Sequence, residues 1–380
     1  MEQRRVYGKS QWYHETQSRQ QAADVLPLVP EAAHVRDRFL LDLALPVPVI
    51  AEAGPWLSQA RSLAQALMPD EVTPTRLHTF STYERLSTAL TVAQVCGIQR
   101  LCNHYAARLA PLPGPDSSRE SNYRLAQITQ YARQLAASPS VITPQSRQQL
   151  RDVGLSAPDI VLITQIVGFT AWQARVIAAG HALLGLPVRW IPGMPVQDDA
   201  DAAPFNCRTC RWIADESLAE EQPPGDTRHP PEVTAFLQPL VPLLAWDKSL
   251  MLTLSGLLAR FDDERLTILA ALVAARINGS VSCFNALASR QTEDASLMNA
   301  IRQGDPALRQ WLHQHPDDSA IIQAAQLLTR APDRFSAGQF TALTEQGLSV
   351  SQTFGLLAWC GLSGWLNRLR IGLGDTEAVA

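Results

Sequence analysis

Gly154-Leu155-Ser156, followed by Trp172 and Arg175, returns as Gly347-Leu348-Ser349 followed by Trp365 and Arg368, each residue 193 positions later. Ala132, Leu135, Pro139, Leu150 and Gly168 find Ala325, Leu328, Pro332, Leu343 and Gly361 at the same interval. Self-similarity at a long period decides architecture before local propensity does, because both copies must then fold alike. Upstream the interval shortens. Glu84-Arg85-Leu86 matches Glu264-Arg265-Leu266 at 180, and Gly97 matches Gly279 at 182, as small loop insertions would produce.

Around these anchors the apolar rhythm is helical. Tyr83 to Val95 puts Leu86, Leu90, Val92 and Ala93 on one stripe, and Leu266 to Ile277 is an Ala- and Leu-rich run suited to a buried helix. Segments 98–109, 123–136, 146–153, 158–180, 232–245, 320–329, 337–345 and 351–369 share that character. No alternating run bounded by hairpin turns occurs, so an all-α fold is expected. The expected organisation is an N-terminal extension (1–34), a first helical domain (35–190), a connector (191–231), a second helical domain (232–372) and a tail (373–380). Trp12 and Tyr13 suggest that the extension docks on the rest. Within the connector, 206–221 reads as a short helix with Asn206 as its cap.

Composition narrows the function classes. With 46% hydrophobic and 18% charged residues, 380 residues supply ample core for two domains. A net charge of −4 argues against a nucleic-acid surface, and the arginines are scattered rather than clustered. Residues 1–20 lack an apolar core, so no secretory signal is expected. The longest apolar stretch, Asp159 to Val188, carries Gln165, Gln173, Arg175 and His181, which argues against a membrane span. Six cysteines in a chain of this length do not resemble a disulfide scaffold, so a reducing cytoplasm is expected.

In the second copy an apolar helix ends in Asn278-Gly279-Ser280, and a new one begins with Val281-Ser282-Cys283. This turn, the Glu84-Arg85 and Glu264-Arg265 starts and the Gly-Leu-Ser helix turns resemble the carboxymuconolactone decarboxylase and alkylhydroperoxidase D-like superfamily. The resemblance covers most of the chain outside the extension and connector. It implies an all-α domain, here duplicated in tandem, and a homo-oligomer. In the family's peroxidases, Asn-Gly leads into Cys-x-x-Cys-x-x-x-His, with a Glu one helix earlier. A cysteine in the first turn of a helix meets unpaired N–H groups, which favour its thiolate.

Carried over residue by residue, that machinery is incomplete. Ser280 stands at the first cysteine, Cys283 at the second, Leu287 at the histidine and Ile268 at the glutamate. In the first copy Ile98 and Leu101 take the two cysteine positions, while Cys96, Cys102 and His104 lie nearby out of register. Glu84 precedes Cys96 by twelve residues, the family's interval, in conflict with the Gly97/Gly279 match; both registers stand as alternatives. Cys96, Cys102 and Cys360 in apolar helices also read as packing residues, His104 as a core-edge histidine, and Glu84 as a carboxylate favoured by a helix start.

The connector adds Cys207-Arg208-Thr209-Cys210. The expected helix start and the flanking Arg208 and Arg211 would lower a thiol pKa, as redox Cys-x-x-Cys sites require. Zinc would need two more ligands, and His229 is the nearest loose histidine. The candidate catalytic set is therefore Cys283, Cys207, Cys210, Ser280, Glu84 and His104, with no metal and no cofactor. The expected function is a thiol-dependent, peroxidase-related oxidoreductase, its partners a thiol reductant or small-molecule substrate, with neither nucleic acid nor membrane. The alternative is a non-catalytic scaffold or small-molecule-binding protein on a duplicated helical fold.

Overall fold

Each Gly-Leu-Ser triplet ends one helix and starts the next. Gly154 and Gly347 sit at φ +83° and +96°, the left-handed region that glycine enters without a Cβ clash. Ser156 and Ser349 then cap the following helices. Each serine Oγ accepts from the amide three residues on, and the Asp159 and Gln352 side chains accept from the serine amides in return.

The computed structural model describes residues 28–187, 196–207, 209–219, 232–262, 264–290 and 294–378. The extension with Trp12 and Tyr13, Arg208 and His229 lie outside them. The described chain is predominantly helical. Its helices are α1 (Val47–Leu67), α2 (Thr82–Cys96), α3 (Gln99–Leu109), α4 (Arg119–Ala137), α5 (Pro144–Asp152), α6 (Ala157–Leu183), α7 (Glu216–Ala219) and α8 (Val241–Leu244). They continue with α9 (Lys248–Leu258), α10 (Arg265–Asn278), α11 (Val281–Ala288), α12 (Ala295–Gln303), α13 (Asp305–Gln314), α14 (Ser319–Arg330), α15 (Ala337–Glu345) and α16 (Val350–Leu373).

Three expectations need correction. Strand β1 (Cys210–Ala214) pairs antiparallel with β2 (Gly374–Ala378), Cys210 opposite Ala378 and Ala214 opposite Gly374. The connector therefore holds a strand paired with the tail, and of the helix expected over 206–221 only α7 (Glu216–Ala219) forms among the described residues. The stretch 232–245 is not one helix either. Pro239 and Pro242 lack the N–H that a continuous helix needs, and the chain breaks into a 3-10 turn, α8 and a second 3-10 turn. Helix α1, by contrast, forms with Pro55 inside it.

Helix α6 is apolar around its circumference and buried along almost all of it, the signature of a central core helix. By length and composition alone it and 238–258 could cross a membrane; 94% of the apolar window of α6 is buried within the protein. Helix α16 packs along α6 more extensively than any other helix. Trp172 and Trp365 stack there, centroids 5.9 Å apart and planes at 26°. Each ring lies on the other helix's glycine. A Cβ on Gly168 would meet Trp365 Cδ1 at 1.9 Å, and one on Gly361 would meet Trp172 Cδ1 at 3.0 Å.

The buried arginines repeat that exchange. Arg175 Nη2 donates to Thr329 O (2.6 Å), and Arg368 Nη2 to Ala136 O (2.8 Å) and Nε to Leu135 O (3.0 Å). These carbonyls end α14 and α4, where the last C=O groups lack helical partners and the dipole is negative. Thr329 and Ala136 are themselves 193 positions apart. Each half thus caps a helix of the other, a reciprocity characteristic of two-fold contacts. The turns follow suit: left-handed Gly97 lies against Asp333, and left-handed Gly279 against Ser140.

Fully buried Arg147 anchors the connector and tail to the first half through ion pairs with Asp215, ahead of α7, and Asp375 in β2.

Candidate functional site

The turn that carries the family resemblance is folded as a helix start, but its thiol is sealed. Gly279 ends α10 in the left-handed region and Ser280 takes the N-cap position of α11. Cys283, one turn in, is a free thiol only 1% exposed. Its electrostatic neighbour is Arg370 of α16, whose pKa burial lowers and Cys283 raises. Arg370 lies 4.9 Å over the Trp212 ring and donates from Nη2 to Phe236 O (2.9 Å). Leu287 and Ile268, which the resemblance sets at the histidine and glutamate positions, are buried apolar residues and supply no proton-relay group.

Cys207 and Cys210 form a disulfide, with Cα atoms 6.0 Å apart and both residues half-buried. Cys207 follows a 3-10 turn (Ala203–Asn206) in an extended conformation, and Cys210 opens β1. The expected helix-start activation of Cys207 is therefore corrected: no helix begins there. What the structure does bring together is this loop and α11. Asn285 Nδ2, two residues beyond Cys283, donates to Cys207 O at 2.9 Å. Cys207 pairs with Cys210, and Cys283 pairs with neither.

Glu84 leaves the candidate site. It forms a capping box with Ser81 at the start of α2, and Arg124 Nε donates to its Oε1 at 2.6 Å. Cys96 ends the same helix, about 18 Å away at 1.5 Å per residue. That twelve-residue interval therefore brings no carboxylate to a thiol. Cys96 itself is buried, with Arg175 Nη1 3.9 Å from its sulfur.

His104 lies in α3 at 1% exposure, with Nδ1 2.7 Å from Ala32 O. A carbonyl only accepts, so Nδ1 carries the proton. Burial pushes the pKa down to about 4, and the ring is neutral at neutral pH. Nε2 is then a bare lone pair, and it is buried without a partner. His104 lines a cavity of ≈ 460 Å³ between the Gly97 turn and the Pro332–Phe335 turn of the other half. His181 of α6 lines it too, its pKa pushed to about 4 by burial and then by Arg100, its Nε2 likewise unpartnered. Sequence reading passed over His181 as a polar interruption of an apolar helix, and only the approach of α3 to α6 reveals it.

A second cavity of ≈ 290 Å³ occupies the corresponding place at the Gly279 turn, lined by Ser280, Ser282, Ser140 and Arg370. Ser280 Oγ and Ser282 Oγ are buried there without partners. Among the described residues no group of three or more His, Cys, Asp or Glu is placed to hold a metal ion. No family model matches the chain, and comparison with curated proteins and with solved structures returns no match.

Proposed function

We propose that the chain is a dithiol–disulfide oxidoreductase on a tandem duplication of an alkylhydroperoxidase D-like helical domain, with Cys207 and Cys210 as the working pair. The observation that carries the activity is the half-buried Cys207–Cys210 disulfide, tied to α11 through Asn285, while Cys283 in that helix is sealed. A thiol at 1% exposure does not meet a peroxide or a thiol substrate, whereas a partly exposed disulfide does. In the reducing compartment expected for this chain, such a disulfide belongs to the catalytic or sensing kind. The duplication is supported by the exchanged Trp172/Trp365 and Arg175/Arg368 contacts.

The exchange balances with a small-molecule thiol as reductant. Its thiolate attacks one sulfur of the pair, forming a mixed disulfide and releasing the other cysteine as a thiolate. A second thiol breaks the mixed disulfide, leaving Cys207 and Cys210 as thiols and the reductant as its disulfide. Run backwards, the same steps reduce a disulfide substrate.

The test is turnover of hydroxyethyl disulfide with dithiothreitol as donor, alongside alkylation and mass mapping of all six cysteines. Cys207→Ser should abolish turnover above background, and Cys283→Ser should leave it intact. Equal rates for wild type and Cys207→Ser would end the proposal.

A further inference from the structure

We infer that the His104–His181 cavity is a binding site for a small amphipathic molecule with an aromatic or alicyclic body and an O–H or N–H donor. This goes beyond the redox reading and does not depend on it. The cavity, ≈ 460 Å³, falls within the range of small-molecule sites. Its walls are largely apolar, with Leu41, Ile98, Ala178 and Phe335 among them. They come from the N-terminal segment, the start of α3, the end of α6 and the Pro332–Arg334 turn.

The polar features set the ligand's chemistry. The Ala32 carbonyl fixes the His104 proton on Nδ1, leaving Nε2 able only to accept. A buried acceptor without a donor costs free energy that a ligand donor recovers. His181 sets a second unpartnered Nε2 in the same wall. Both rings are neutral at neutral pH, and Arg100, the guanidinium in the lining, donates from Nη1 to Leu41 O at 2.9 Å. Asp333, opposite Gly97, has its carboxyl held above the usual range by burial and adds a further acceptor to the lining. Gln99 and Asn103 also line the cavity and bond each other, Gln99 Nε2 donating to Asn103 Oδ1 at 2.6 Å. The unpartnered His104 Nε2 beside the apolar floor therefore rewards a donor-bearing ring over the same ring without the donor.

The experiment uses the full chain and two fluorinated probes of similar shape, 4-fluorophenol and 4-fluoroanisole, titrated by fluorine NMR. The phenol is expected to saturate at millimolar concentration or below, and the anisole to bind about tenfold more weakly for want of the O–H. Long-range proton–nitrogen spectra should show the His104 Nε2 resonance shift with the phenol alone. Ala178→Leu, which fills the cavity from α6 and keeps both histidines, should remove phenol binding while circular dichroism stays unchanged. His104→Phe should equalise the two probes if it folds. The inference is overturned if wild-type protein binds both probes alike or neither saturably, or if Ala178→Leu binds the phenol as well as wild type does.

Discussion

Arg368 and Arg175 carry guanidinium groups into the interior, where burial pulls the Arg368 pKa down to about 9. What holds them there is helix-end backbone. Arg368 bonds two carbonyls of the opposite half, Leu135 and Ala136, and Arg175 bonds one, Thr329. Removing a guanidinium relieves its desolvation but orphans those acceptors, at about 1–3 kcal/mol each. We expect Arg368→Met to cost about 3 kcal/mol and Arg175→Met less, read from urea midpoints. The reverse order would show that the carbonyl caps are not what matters. At this scale the sequence was legible where the cause was local: Ser156 and Ser349 announce their caps within three residues. Cys283 was legible in position but not in access, because its burial comes from tertiary packing, and its charged neighbour Arg370 lies far away in the chain.

Among the elements, β1 and β2 were the least legible. Cys210–Ala214 is five residues long, and its partner lies across the whole second half, so neither strand shows a pattern by itself. The helices of long apolar period were readable, and α1 was missed because Pro55 interrupts its pattern. The His104–His181 cavity was unreadable for a related reason: its walls come from separate segments that no spacing links. The strand pair also bears on the disulfide. Cys210 is the first residue of β1, and β2 both pairs with that strand and supplies Asp375 to Arg147. Truncation after Leu373 should therefore loosen the Cys207–Cys210 loop. We expect the truncated chain to lose this disulfide to dithiothreitol several-fold faster, measured by timed alkylation. An unchanged rate would show that α11, through Asn285, holds the loop alone.

For the whole molecule, the exchanged contacts mean that neither half owns its own interior. Trp365 of the second half fills the space over Gly168, and Trp172 of the first covers Gly361. Arg175 and Arg368 close helices across the same boundary, so opening the boundary exposes stacked rings and helix ends together. Unfolding should be one cooperative transition despite 380 residues and two proposed domains. The glycines test this, because their surroundings are unequal. A methyl at 168 would meet the Trp365 ring at 1.9 Å, which forces the ring out of its stack, whereas at 361 the nearest atoms lie at 3.0 Å. Gly168→Ala should destabilise by about 3 kcal/mol, the upper end for overpacking, and Gly361→Ala by about 1 kcal/mol or less. In calorimetry each variant should lower the midpoint of a single transition, the first by more. Two resolved transitions, with the substitution moving only the half that contains it, would mean that the halves fold independently and that the tryptophan exchange joins finished domains.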